Sequence, residues 1–290
     1  MRLGIGVAIV LLTGIALQAQ APRVPSPLAR AEVHEFTSSI NGRTYRVFTA
    51  LPEAYAKEAA ARFPVVYVTD GNYLFGMTAQ IYGVLRLSRD MPEAIIAAVS
   101  PAGVDERNPS LAVRQIDLTP TQVPDSEREN EKTLGQPVPT GGAAAFLRVL
   151  REELIADMEK RYRTNGDRTY IGWSLGGLFG AYALFHAPDL FNRMVLVSPS
   201  LWWDGGIVTK YEEQYAAQHK SLSVRLFISD GELESDSMIG SMKRLSQSLE
   251  RRRYEGLRVT TRIFEGESHT STVPVAVTRG LRTVFADETK

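Results

Sequence analysis

Arg168-Thr169-Tyr170-Ile171-Gly172-Trp173-Ser174-Leu175-Gly176-Gly177-Leu178-Phe179-Gly180-Ala181-Tyr182-Ala183-Leu184-Phe185 is the stretch on which the reading of this chain turns. A strand-like apolar run meets a G-x-S-x-G pentapeptide, Gly172 to Gly176, and a helix-like run of small and apolar residues follows. A serine on a tight strand-to-helix bend projects its hydroxyl outward, and glycines two residues to either side let strand and helix approach closely. The start of such a helix offers backbone N–H groups to a developing oxyanion. The plainer alternative is a glycine-rich turn whose serine only caps the helix. Strand before, helix after and the Gly176-Gly177 pair favour a nucleophile elbow.

Outward from that unit, strands and helices alternate. Glu32–Ser39 and Arg43–Leu51 flank Asn41-Gly42, a hairpin signal. Glu53 to Arg62 reads as a short Ala-rich helix, Phe63 to Val68 as a buried strand, Met77 to Leu87 as a helix and Ala94 to Val99 as a strand. Residues 101–140 are proline-rich without periodicity and read as a long irregular loop on the substrate side. Its charged stretch Asp125–Lys132 reads as the solvated face of a lid. Gly141 to Tyr162 has helical apolar spacing; strands follow at Met194–Val197, Val224–Ile228 and Leu257–Phe264, with helices at Met238–Tyr254 and Thr272–Phe285. The pattern predicts an α/β fold in one domain over residues 32–290. Its sheet is mostly parallel with an antiparallel N-terminal edge hairpin, and helices cover both faces.

The N-terminus has its own logic. Met1-Arg2, an uncharged run Leu3–Leu17 and Ala19-Gln20-Ala21 read as a secretory signal over residues 1–21, cut after Ala19 or Ala21, with a Pro-rich tether over 22–31. The run is short of the roughly 20 residues of a membrane-spanning helix; an uncleaved anchor is the alternative. The expectation is an exported, periplasmic or secreted protein with no stable membrane insertion after cleavage. The chain has no cysteine, which excludes disulfides and a lipid-modified N-terminal cysteine. Lys+Arg and Asp+Glu number 33 each, so no overall field draws the protein to nucleic acid, and no nucleic-acid partner is expected.

A serine hydroxyl needs a base within reach, and the base an orienting acid. Of four histidines, His34 lies on the opening strand, His186 ends the helix after Ser174 and reads as a cap or packing residue, and His219 sits in a polar stretch. His269, in Gly266-Glu267-Ser268-His269-Thr270-Ser271, follows the last strand and completes the chain order serine, acid, histidine. The acid should lie in Ser229–Asp236. Glu234 is the first choice, three residues past Gly231; Asp230, Glu232 and Asp236 are alternatives, as is a Ser/His dyad without an acid. The oxyanion donors are read as the N–H of Leu175 and that of Asn72 or Gly71, with Asp70 ordering their turn.

Together with Asp70-Gly71-Asn72, Arg114 before Asp117-Leu118-Thr119-Pro120, Gly141-Gly142-Ala143 and Ser198-Pro199-Ser200-Leu201-Trp202-Trp203, these motifs resemble the putative-esterase family of α/β-hydrolases. That family includes esterase D and the periplasmic siderophore esterases that open enterobactin- or salmochelin-type trilactones. The resemblance spans nearly the whole mature chain. It implies the α/β-hydrolase fold and hydrolysis of a small-molecule carboxylic ester through an acyl-enzyme, with no metal or organic cofactor. Two departures stand out: Trp173 where the family commonly has His, and His269-Thr270-Ser271 where it has His-Gly-Ser. Trp173, Trp202 and Trp203 read as aromatic surfaces for a flat acyl or catechol group, and Arg114 as the partner of an anionic one. Against that, one tryptophan could be core and the other a loop shield, and Arg114 could pair with Asp117. An acyl transferase, a feruloyl-type esterase and a catalytically silent ligand-binding protein are the competing functions.

Overall fold

The computed structural model describes residues 31–102, 109–135 and 137–286; the expected signal and nearly all of the expected tether lie outside them. The chain begins with an antiparallel pair, β1 (Ala31–Thr37) and β2 (Thr44–Ala50), joined through Gly42 at φ +72°. There follow α1 (Ala54–Lys57), β3 (Phe63–Val68), α2 (Gly71–Leu87), β4 (Ile95–Pro101), α3 (Pro109–Asp117) and α4 (Pro124–Leu134). One long helical stretch comprises α5 (Ala143–Arg148), a π-helical segment (Val149–Leu154) and α6 (Ile155–Arg161). The remainder alternates β5 (Thr164–Trp173), α7 (Leu175–His186), β6 (Arg193–Val197), α8 (Trp203–Gln218), β7 (Arg225–Gly231), α9 (Asp236–Arg252), β8 (Arg258–Phe264) and α10 (Thr272–Val284).

Among the described residues the strands form one sheet in the order β1-β2-β4-β3-β5-β6-β7-β8. β1, β2 and β4 pair antiparallel; every later pairing is parallel. The expected edge hairpin and doubly covered parallel sheet are both present. β3 and β6 are buried at every residue, the pattern of strands covered on both faces. One core lies under α5 to α9; the other lies under α2 and α10. All of α7 except His186 is buried, which is why its sequence carries no polar face.

The structure corrects three sequence readings and adds one helix that the sequence reading left out. The 101–140 segment is not irregular throughout, since α3 and α4 lie within it. Pro124 starts α4, where a missing N–H costs nothing. The helix expected over 53–62 is a single turn, α1. α2 begins at Gly71, not Met77, so the Asp70-Gly71-Asn72 turn is itself a helix start. α8 was not anticipated; Asp204-Gly205-Gly206 at its head are poor helix formers and are left-handed in the structure.

Parallel strands deliver their C-terminal ends to one edge of the sheet, the edge where ligands bind in such folds. There lie Asp70 after β3, Ser174 after β5, Ser198 after β6, Glu234 after β7 and His269 after β8.

Candidate active site

Ser174 occupies the bend between β5 and α7 at φ 58°, ψ −117°, a conformation that L-residues rarely adopt. Its own N–H is given to Val197 O and its carbonyl accepts from Leu178 and Ser200, so the bend is clamped from both sides. Glycine is required beside it. A Cβ on Gly172 would run into Gly176 O, and one on Gly176 would stand 2.5 Å from Thr69 Oγ1. Tyr170, fully buried in β5, donates its hydroxyl to Gly176 O at 2.7 Å and ties helix start to strand.

His269 sits in the loop between β8 and α10. Its ring lies against that of Trp173, centroids 5.2 Å apart, and its carbonyl accepts from Trp173 Nε1 at 2.9 Å. The residue next to Ser174 therefore holds the histidine loop. Nδ1 of His269 lies 2.8 Å from Glu234 Oε2. The other oxygen of Glu234 accepts from Ser198 Oγ at 2.5 Å and from the Gly231 N–H at 2.8 Å. Burial works to raise the Glu234 pKa, but the hydrogen bonds from His269, Ser198 and Gly231 outweigh it and hold the carboxyl below the usual glutamate range.

Ser174 Oγ has its hydrogen-bond contact with Ser200 Oγ, at the long distance of 3.5 Å, and none with His269. Such contacts are often loose without substrate. The remaining acids stand apart from His269. Glu232 accepts from the Gly266 N–H, Asp236 is exposed in the first turn of α9, and Asp230 is wholly buried with no hydrogen-bond partner for either oxygen.

At the mouth of the site, the N–H groups of Leu175 and Gly71 have no acceptor among the described residues, whereas the Asn72 N–H is given to Ser100 Oγ at 2.8 Å. Asp70, left-handed at φ 57°, is gripped by both nitrogens of the Arg114 fork at 2.8 and 3.0 Å. That corrects two expectations for Arg114: its guanidinium is committed to Asp70, and its partner is not Asp117. Asp117 is buried and instead takes Arg43 at 2.9 Å and the Tyr45 hydroxyl at 2.8 Å; burial pushes its carboxyl up to about 6 despite those partners. The Gly141-Gly142-Ala143 motif packs on the same segment, with Gly141 N–H on Thr119 Oγ1 and Gly142 N–H on Ile116 O.

The tryptophans divide. Trp203 is 2% exposed, part of the core and bonded to Thr121, so its place on the substrate side is corrected to a structural one. Trp202 is 42% exposed and Trp173 half-buried. A cleft of about 470 Å³ beside Trp173 is walled by Tyr73, Leu74, Met77, Val273 and Pro274, with Arg114 at its edge. The other histidines are engaged elsewhere: His34 with Asp157, His186 stacked on Tyr182, and His219 on Tyr215. Ser198, Ser200 and Ser100 were not singled out from sequence; the first two stand in the Ser198-Pro199-Ser200 motif that ends β6, which was the available signal. Among the described residues no group of acids and histidines is placed to hold a metal ion, and no helix is long and apolar enough to cross a membrane.

Residues 38–270 match the family model described as "Putative esterase". A ferri-bacillibactin esterase of Bacillus subtilis is 29% identical, over 87% of this chain and 88% of its own. A siderophore triacetylfusarinine C esterase of Aspergillus fumigatus is 25% identical over 91% and 96%. Among solved structures, the BES protein of Bacillus cereus superposes with a TM-score of 0.77 at 27% identity, covering 92% of this chain and 99% of that one. A serine hydrolase of Shewanella oneidensis gives 0.77 at 25% identity over 89% and 80%.

Proposed function

The chain belongs to the putative esterase family, and on that premise we propose that it is a serine carboxylic-ester hydrolase in which Ser174 is the nucleophile, His269 the base and Glu234 the acid that orients it. The observation that carries the reading is the fixed Glu234–His269 pair lying against Trp173, one residue from a serine on a strained bend. Glu234 on Nδ1 keeps Nε2 free to accept a proton. Ser174 Oγ attacks the ester carbonyl as its proton passes to His269. The negative oxygen is taken by the Leu175 N–H, with a second donor from the Gly71–Asn72 turn. His269 then protonates the departing alcohol, and water releases the acid from the acyl-enzyme by the same route.

The substrate we infer is an aromatic ester, with catecholate siderophore lactones as the leading class. Support for a siderophore ester comes from the names of the two relatives above; support for its aromatic class comes from the apolar cleft beside Trp173, with Trp202 exposed nearby in sequence to Ser200. We also take residues 1–21 as an export signal, which would place the reaction outside the cytoplasm.

Fluorophosphonate labelling tests the chemistry. Wild type should label at Ser174 and turn over a p-nitrophenyl ester, while Ser174→Ala should do neither and keep its circular dichroism. Turnover retained in Ser174→Ala would refute the assignment. A panel of catecholate trilactone, feruloyl and short acyl esters then ranks substrates by kcat/KM. Preference for short acyl chains would sink the aromatic reading without touching the mechanism.

A further inference from the structure

A second cavity, of about 620 Å³, lies between β8 and the C-terminal half of α10 and shares no lining residue with the Trp173 cleft. Its apolar wall is the half-buried Phe264, set over the core residue Phe227; its charged rim is Arg262, Arg279, Arg282 and Asp90. Arg279 and Arg282 are three residues apart on α10 and so occupy one helix face. Arg262 and Phe264 are two residues apart on β8 and point to the same side of the sheet.

Charge is unbalanced here. Arg282 Nε is 3.1 Å from Asp90 Oδ2, and Asp90 also accepts from Ser88 Oγ. The guanidiniums of Arg262 and Arg279 have no hydrogen-bond or ion-pair partner among the described residues. Among the described residues, three guanidiniums against one carboxylate leave about two positive charges facing one cavity. An oxyanion placed between them would relieve the repulsion and accept paired hydrogen bonds from planar forks that match carboxylate and phosphate geometry. The phenylalanine wall suits a planar apolar body on the same molecule. None of these residues takes part in the ester chemistry.

We propose that this cavity is a binding site for a small organic anion, a carboxylate or phosphate carried on an aromatic ring, independent of the ester-cleaving site. Titration calorimetry of the full chain with phenyl phosphate, salicylate and inorganic phosphate tests it. Phenyl phosphate or salicylate should bind, and binding should weaken with rising salt. Arg262→Gln with Arg279→Gln should weaken it at least about tenfold, since charge-assisted hydrogen bonds are lost. Asp90→Asn should act oppositely and tighten it, because it removes the one carboxylate that lines the cavity among the described residues. Turnover of a p-nitrophenyl ester should stay within about twofold of wild type in every variant, as expected for positions away from the reacting groups. No binding of either aromatic anion below about 10 mM, a Kd that corresponds to under 3 kcal/mol, overturns the proposal. So does binding that the double variant leaves unchanged. Inorganic phosphate binding as tightly as phenyl phosphate overturns the aromatic class.

Discussion

Glu234 reaches His269 with one carboxylate oxygen, Oε2 to Nδ1 at 2.8 Å, and spends the other on two donors of its own, Ser198 Oγ and the Gly231 N–H. A carboxylate fixed at both oxygens can set one tautomer and one ring orientation of the histidine. Glu234→Gln disrupts that arrangement, because an amide offers N–H₂ either to the donors of Ser198 and Gly231 or to His269. Steady-state kinetics should show kcat lowered about 10²- to 10⁴-fold with KM changed only slightly. A loss below about tenfold would mean that serine and histidine work as a dyad.

Ser198 should matter through Glu234 alone. Ser198→Ala removes a buried donor to a charged acceptor, an interaction worth about 1.5–3 kcal/mol. The carboxyl would rise from its depressed pKa toward the ordinary range, weakening its hold on the imidazolium. The expected effect is about a tenfold or greater fall in kcat with KM little moved. Ser200→Ala, which loses only the 3.5 Å contact to Ser174, should fall less. Equal effects from the two would contradict the assignment of Ser198 to the acid.

The bend has a steric test. At Gly176 even one methyl would overlap Thr69 Oγ1, where it would also crowd the buried Asp70 carboxylate 3.2 Å away. Gly176→Ala should cost about 1–3 kcal/mol, seen as a lower midpoint in urea, together with loss of turnover as strand and helix separate. Gly83→Ala in α2 meets nothing within 4 Å and should be neutral or slightly stabilising. Equal stability of the two variants would show that the approach at Gly176 is not tight.

Most of the architecture was legible because parallel strands and the buried α7 carry long apolar runs that admit one period each. The proposed nucleophile and base, Ser174 and His269, could be singled out because chain order on this topology leaves few choices. The helices within 101–140 were hidden by prolines, which read as breakers although Pro109 and Pro124 sit at helix starts where they are tolerated. The partners of Arg114 and Asp117 could not be read at all. Both residues bond to groups more than 40 positions away, Asp70 and Tyr45, and such pairings are set by tertiary packing. Trp202 and Trp203 look alike in sequence, yet one is exposed and the other core, since neighbouring side chains at the head of α8 point to different sides.

Asp230 supplies a pH test of the buried acid pair. It is 0% exposed, and burial first, then the negative charge of Glu234, pushes its carboxyl from 3.8 up to about 7. The folded chain thus holds a proton that the unfolded chain has released across the window between about 4 and 7. Where the native state binds the extra proton, stability falls as pH rises, and above about 7 the fold carries the whole cost of the buried charge. At 1.36 kcal/mol per unit this amounts to about 4 kcal/mol, an upper figure. Asp230→Asn has no proton to lose. Urea unfolding of the two proteins from pH 4 to 8 should show the asparagine variant gaining on wild type as pH rises, with most of the gain complete by about pH 7. Glu234 works in the opposite sense, stabilising above its ordinary pKa and losing that contribution in acid, but it is present in both proteins and largely cancels in the difference. A difference that stays flat across the range would mean that Asp230 is ionised in the native state throughout, and that some donor reaches it.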